Sequence, residues 1–294
     1  MSGWLLVAQL GVMNALIMLW VVLGFAVTFR LFSFADLTIE ASLPLGAGVY
    51  AITVTHGHSP WAGAALGMVA GALAGALTAT LHVWLRLNKL LAGVIVIAIG
   101  YSLTLMIMQG PNIGLVSNAS IFGNQTENRI LLELLFIAIV AVPLLARFLS
   151  GRTGLRMRAA AGNREFAASL GIAPGLQIIL AVAGANALAA LSGVILTSIQ
   201  GFADIGMGQG ILVMALAALG MGEAVRPLRL LPSHLAVLSS AVIGNLIYQW
   251  VLTAAFHLGL PATWLKLATG VLVLVVVAVQ ALRSPQPIWR EVLD

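Results

Sequence analysis

Hydrophobic residues arrive along this chain in long blocks separated by short polar or turn-forming stretches. Nine blocks can be marked, at about 5–28, 43–56, 61–84, 90–109, 130–149, 177–199, 209–222, 234–252 and 265–282. A bilayer span takes about 20 apolar residues. The blocks at 43–56 and 209–222 hold only about 14, too few to cross alone at about 1.5 Å per residue. Each follows a semi-polar stretch, Ser33 to Ser42 in the first case and Gly201 to Gly208 in the second. Pro44 and the glycines of the second stretch suit interrupted helices. The block at 5–28 is too long for the apolar core of a signal peptide and has no basic segment before it, so it reads as the first span.

The two short blocks belong to an internal repeat. Phe34-Ala35-Asp36-Leu37 is echoed by Phe202-Ala203-Asp204-Ile205, 168 residues later. Lys89-Leu90, Gly93-Val94 and Val96 are echoed by Lys266-Leu267, Gly270-Val271 and Val273, 177 residues later. The growth in offset fits a longer loop between spans seven and eight than between two and three. Four spans return a chain to its starting side, and the fifth, at 130–149, flips it. The segments at about 5–109 and 177–282 then have opposite orientations. Inverted repeats with helices broken at matching positions mark transporters whose path lies between the repeats. The expected fold is an all-α polytopic membrane protein, one transmembrane domain over residues 1–294. It has about nine transmembrane helices in a 4+1+4 inverted repeat with two interrupted helices.

Composition sharpens this picture. Of 294 residues, 61% are hydrophobic and only 8% charged, against about 25% charged in soluble domains. Mean hydropathy is +1.07. No separate soluble domain fits, so an ATPase or solute-binding domain would belong to another chain. With no cysteine, disulfides, thiolate metal sites and catalytic thiols are excluded. The net charge of +5 is explained by orientation rather than by nucleic acid. With the 150–175 loop placed in the cytoplasm, Arg30, Arg86, Lys89, Arg147, Arg152, Arg156, Arg158, Arg164, Arg226, Arg229, Arg283 and Arg290 lie inside, and only Arg129 and Lys266 outside. This puts the N-terminus outside, which the family resemblance given below makes the periplasmic side, and the C-terminus in the cytoplasm.

Candidate pathway or gate residues are the polar groups nearest the short blocks: Asp36, Glu40, Asp204, Gln209 and Asn186. Asp36 and Asp204 each precede a short helix, where they either line a path or cap the helix through an orphan backbone N–H. The echo of Glu40 is Gly208, so the repeat does not require an acid there. Asn186, Gln200, Gln209 and Asn245 are read as inter-helix hydrogen-bonding amides, with path lining second. Gly63, Gly67, Gly71 and Gly75 form a face of small residues that allows close helix approach, either within the subunit or between subunits. The five histidines show no metal-ligand spacing, and no nucleophile–base pair or phosphate loop is present. The chain therefore reads as a non-enzyme that binds no metal or cofactor.

The polar loop 150–175 carries the most information. Asn163 suits a helix N-cap and Gly171 a C′ position, enclosing a two-turn helix with Phe166, Ala167 and Leu170 on one face. Isolated, so short a helix is marginal. Either it lies on the membrane with its arginines on anionic lipid, or it docks on a cytosolic partner.

At this loop the chain resembles a known family. Thr153, Leu155, Arg158-Ala159, Gly162, Asn163, Ala167 and Gly171-Ile172 resemble the coupling region of ABC importer permeases of the branched-chain amino acid and ribose type. Ser192-Gly193 and Phe34-Ala35-Asp36-Leu37-Thr38 fit the same family. Leu87-Asn88-Lys89-Leu90-Leu91-Ala92-Gly93 and Gly110-Pro111-Asn112 are similar to a subgroup with proposed aromatic amino acid cargo. The resemblance implies a bacterial inner-membrane subunit that works with a cytosolic ABC ATPase dimer, which holds ATP and Mg, and with a periplasmic solute-binding protein. It implies a second permease copy, expected to be identical because the chain holds one complete repeat pair. Asn163, Arg164, Glu165, Phe166, Ala167, Leu170 and Gly171 map onto the family's ATPase-coupling helix. An ion-coupled secondary transporter is the rival reading, and a membrane scaffold without transport is a third.

Overall fold

The computed structural model describes residues 3–115, 120–123, 125–225, 233–261 and 264–283. Arg226, Arg229 and Arg290, and the side chains of Lys266 and Arg283, lie outside the described residues.

Each hydrophobic block coincides with a helix. In chain order these are α1 (Gly3–Phe32), α2 (Ile39–Thr55), α3 (Pro60–Trp84), α4 (Lys89–Met108) and α5 (Glu127–Ser150), then α8 (Pro174–Gln200), α9 (Ile211–Val225), α10 (Ser233–His257) and α11 (Leu265–Arg283). The loop between α5 and α8 carries two more, α6 (Arg152–Gly162) and α7 (Arg164–Ser169). Seven of the described helical segments are long and apolar enough to cross a membrane, one of them formed by α9 with the turn before it, while α2 is a shorter apolar helix. The molecule is an all-α polytopic membrane protein, with two three-residue strands among the described residues.

Those strands were not legible in the hydrophobic pattern. β1 (Asn112–Gly114) pairs antiparallel with β2 (Phe202–Asp204), with Ile113 opposite Ala203. The polar loop after α4 is thereby tied to the second copy of the repeated motif. A short 3-10 helix, Ile205–Gly208, then leads into α9.

The apolar residues of α1 explain its place. Val21, Val22, Leu23 and Phe25 are fully buried, and a helix that is hydrophobic all round belongs in the interior. α1 packs on α8 and α10, and α8 packs most extensively on α3 and also on α2. α2 also packs on α3 and α4, as α9 does on α10 and α11. α5 presents Leu132, Phe136, Ile139 and Leu144 outward, as a lipid-facing helix does.

α2 begins at Ile39, four residues before the block read from hydrophobicity. Its first turn includes Glu40, and the Asp36 carboxylate accepts the backbone N–H of Thr38 just ahead of it. Pro44 sits inside the helix without breaking it. Proline has no N–H for the carbonyl four residues earlier, which here belongs to Glu40. Gly208 packs on that carbonyl so closely that a Cβ would fall 1.8 Å from the oxygen. The glycine is required there by contact: the carbonyl that Pro44 leaves open on a continuous α2, which the sequence predicts to be interrupted, is met by the turn before α9.

The glycine face of α3 meets α2 and α8. A Cβ on Gly63 would meet Tyr50, and one on Gly67 the Gly46 carbonyl. Gly71 and Gly75 face Asn186, Ala190 and Val182. In the second half, Gly222 of α9 and Gly244 of α10 bring their backbones together in the same manner.

Candidate functional site

The five polar residues singled out near the short helices fall into two clusters. The first is internal. Asp36 is fully buried; its Oδ1 accepts the Thr38 N–H at 2.9 Å and its Oδ2 accepts the Asn186 side-chain N–H. Asn186 Nδ2 also donates to the Val182 carbonyl at 2.8 Å, and Asn186 Oδ1 accepts from Ser42 Oγ at 2.6 Å. Thr38 and Thr78 share a hydroxyl hydrogen bond at 2.6 Å. Lys89 Nζ donates to the Ser33 carbonyl at 2.9 Å, steadying the α1–α2 connection from α4. Buried polar groups need such partners. This cluster fixes the start of α2 onto α8 and α3, and none of its members lines a described cavity.

The second cluster surrounds the turn at 205–210. Asp204 Oδ1 accepts the Gly206 N–H at 2.7 Å, a cap of the same form as Asp36 on Thr38. Glu40 Oε1 accepts the Gly210 N–H at 3.2 Å. Gln209 lines the spaces on both sides of the turn. The smaller space, about 80 Å³, lies between Glu40, Pro44, Ile97 and Tyr101. The larger, about 720 Å³, runs between α1, α9, α10 and α11, with Asp204, Gln209, Tyr248 and Gln249 among its walls. The structure thus brings Glu40, Asp204 and Gln209 together and sets Asp36 and Asn186 apart. Gln249, one turn beyond Asn245 on α10, was not picked out in the sequence. Asn245 itself donates to the Ala15 carbonyl at 2.6 Å.

At one end of the bundle lies the α6–α7 segment. Asn163 Oδ1 accepts the Phe166 N–H at 2.9 Å and caps α7. After the helix, Ile172 N–H bonds to the Ala167 carbonyl and Gly171 N–H to the Ala168 carbonyl, with Gly171 at φ +75°. That pair of hydrogen bonds is the Schellman closure, and glycine is the residue that tolerates its left-handed geometry. Phe166 and Leu170 are 59% and 60% exposed, while Ala167 is fully buried. Ala167 therefore does not share the face of the other two: it turns α7 onto the body and leaves Phe166 and Leu170 outward. Arg164 and Glu165 are exposed beside them.

α6 was not read from the sequence, because its arginines and flanking glycines resemble loop. Its inner face is Gly154, Met157 and Ala160. Met157 packs with Phe32, Phe34, Ile178 and Val182. A Cβ on Gly154 would fall 2.0 Å from the Leu149 carbonyl. Arg158 bonds to Nδ1 of buried His234 on α10, and His234 Nε2 meets Ser150 Oγ at 2.9 Å. Because the guanidinium can only donate, the imidazole accepts at Nδ1 and donates at Nε2. At the same end, the Arg30 guanidinium at the close of α1 holds both oxygens of Glu223 on α9, with Nε–Oε1 at 2.6 Å. Neither pair carries a sequence signal beyond the scarcity of acids, since partners 76 and 193 residues apart show no spacing.

The chain matches a family described as "Branched-chain amino acid transport system / permease component" over residues 8–278. It is 31% identical over 266 residues to the "Tyrosine transport system permease protein" of Clostridioides difficile, covering 90% of this chain and 88% of the relative. An uncharacterised protein of Rickettsia prowazekii is 29% identical over 265 residues, covering 89% and 93% respectively. No solved structure matches the chain.

Proposed function

The chain belongs to the permease components of branched-chain amino acid transport systems, transport subunits rather than enzymes, and on that premise we propose that it is the membrane subunit of an ATP-driven importer. Its cargo is a small solute of the amino acid class, a reading supported by the relative named for tyrosine transport. The observation that carries the mechanism is α7. It is capped at both ends, seated on the body through Ala167, and presents two large apolar side chains, Phe166 and Leu170, outside the bundle. Such a knob fits a groove on a cytosolic ATPase.

Work reaches the bundle through α6. Met157 joins it to α1 and α8, and Arg158 to α10. A displacement of α7 by a closing ATPase dimer moves these helices as units about the turn at Glu40 and Gly208. The path is then open to one side at a time. The helix pairings support an inverted repeat: exchanging α1–α4 with α8–α11 converts α3 on α8 into α10 on α1, and α2 on α3 into α9 on α10. In the orientation set by the arginines, this end faces the cytoplasm of a bacterial inner membrane, and a periplasmic binding protein delivers solute to the other. A second, identical copy completes the pathway.

An ion-coupled carrier needs an available acid at the ion site. Among the described residues Asp36 is the fully buried acid, and protein donors hold both its oxygens, so the acid that a carrier could use is Asp204 on the wall of the larger space, and experiment separates the two readings. The test is co-expression with the partner ATPase. A stable complex whose ATP hydrolysis drives uptake, and whose assembly is lost in Phe166→Asp without loss of the folded permease, is the expected result. Uptake driven by an ion gradient with no ATPase present overturns it.

A further inference from the structure

The lipid-facing side of the bundle carries a groove of its own. α5 packs on α1 and α10 far less than α8 packs on α1, and two spaces of about 650 and 410 Å³ lie along the seam. They share Val142, Pro143 and Val242, so they form one groove. Its ends on α10 are Leu235 and Trp250, fifteen residues apart, or roughly 22 Å at the helical rise. One leaflet is half of a hydrocarbon core of about 30 Å, so the groove is longer than a leaflet is deep. Ile139 lines it and continues the outward apolar face of α5, so the groove opens to the bilayer.

Along most of its length the groove presents carbon. Its two polar side chains turn toward the protein: Ser239 Oγ donates to the Ala236 carbonyl, and Asn245 is fully buried, with its amide N–H on the Ala15 carbonyl and its oxygen enclosed. The end beside α6 differs. Arg147, exposed in the last turn of α5, stands one turn beyond Pro143. His234, next to Leu235, accepts from Arg158 and meets Ser150 Oγ. Among the described residues no carboxylate forms an ion pair with Arg147 or Arg158. A second copy of the chain has little to set against these two charges, since Glu165 on α7 is the exposed acid described at that end. An apolar trough open to lipid, with two unneutralised guanidinium groups at one end, matches the chemistry of a phospholipid.

We propose that this groove holds an anionic phospholipid of the leaflet on the α6 side, with one acyl chain between α5 and α10 and its phosphate beside Arg147 and Arg158. Lipid tails are as apolar as the groove, so the chain contributes packing rather than hydrophobic drive, and the charge of the headgroup supplies the selectivity. The lipid fills the seam that α5 leaves open and sits against the bond from Arg158 to His234. This inference is independent of cargo and of the importer reading; it needs only that the chain spans a bilayer.

The test titrates the full chain in detergent with phosphatidylglycerol and with phosphatidylcholine carrying the same acyl chains, and reads the adducts by native mass spectrometry. The first phosphatidylglycerol binds at least ~10-fold tighter than the first phosphatidylcholine, of the order that two arginines at a membrane surface exert. Arg147→Gln reduces that preference about fivefold and leaves phosphatidylcholine unaffected. Val242→Trp fills the groove where its two parts join and removes the tight adduct; Val142→Phe does the same if the first variant does not fold. Val140→Trp, on the outer face of α5, changes neither lipid. Equal affinities for the two lipids, an unchanged preference in Arg147→Gln, or a tight adduct that survives filling of the groove overturns the proposal. A dimer in the same spectra that Val242→Trp splits assigns the groove to a second copy and overturns it as well.

Discussion

At the scale of single residues, the connection between α1 and α2 is held by a carboxylate and an amide rather than by apolar packing. Asn186 serves Asp36, Ser42 and the Val182 carbonyl together. Asn186→Ala leaves Asp36 with one donor fewer in a site with no water-facing surface. A buried polar group left without its partner costs roughly 1–3 kcal/mol, more when charged. Denaturant unfolding in detergent should show a loss in that range or above, and an unchanged midpoint would mean that the cluster is not what fixes α2. The sequence marked all of Asp36, Asp204, Glu40, Gln209 and Asn186 as notable because polar residues inside apolar blocks are few. It did not separate the internal cluster from the cavity wall, since that depends on which helix lies opposite. Gly208 shows the same limit. Its echo of Glu40 is visible as a spacing, but the carbonyl that Pro44 leaves for it to cover is visible only in three dimensions.

At the scale of elements, the hydrophobic blocks were legible because nearly every helix here must be apolar along its length. The elements missed were those whose apolar content is small. α6 has an inner face of Gly154, Met157 and Ala160 and an outer face of arginines, so it lacks a bulky stripe. β1 and β2 are three residues each and are set by their mutual pairing. α7 was legible through Asn163 and Gly171, the residues that shape its two ends. The bond from Arg158 to His234 ties α6 to α10, and removing it should loosen the link between ATPase and path without unfolding either. Arg158→Ala should keep ATP hydrolysis in the assembled importer while lowering solute moved per ATP several-fold, as loss of coupling rather than of stability requires. His234→Gln, which can still accept from Arg158 and donate to Ser150, should retain most of that ratio. An Arg158→Ala importer with an unaltered ratio would show that the strut transmits nothing.

At the scale of the molecule, the helix ends gathered beside α6 are the close of α1, the start of α8, the close of α9 and the start of α10. The basic residues nearest these ends, Arg30, Lys89, Arg147 and the arginines of α6, share the face that carries α7. The glycine pairs that cross α2 with α3 and α9 with α10 are Gly46 with Gly67 and Gly222 with Gly244, offset by 176 and 177 residues. In the repeat reading, the growth in offset is nearly complete by Gly222, which puts the added residues in the turn ahead of α9 rather than in the loop after it. Arg30 and Glu223 latch one half of the molecule to the other on this face. The pair is partly exposed, so truncating one member should cost roughly 1–2 kcal/mol, between the exposed and buried limits. Arg30→Glu and Glu223→Arg should each raise ATP hydrolysis uncoupled from uptake. The double reversal should restore coupling, and strictly additive effects would show that the two charges do not act as a pair.

The central claim is that α7 faces the cytoplasm as the handle of an external ATPase. A cysteine at Phe166, in a chain that has no other, can be labelled by a membrane-impermeant maleimide in inside-out and right-side-out vesicles. The account requires rapid labelling in inside-out vesicles, protection there when the ATPase is bound, and none in right-side-out vesicles. Labelling from the right-side-out face would contradict it.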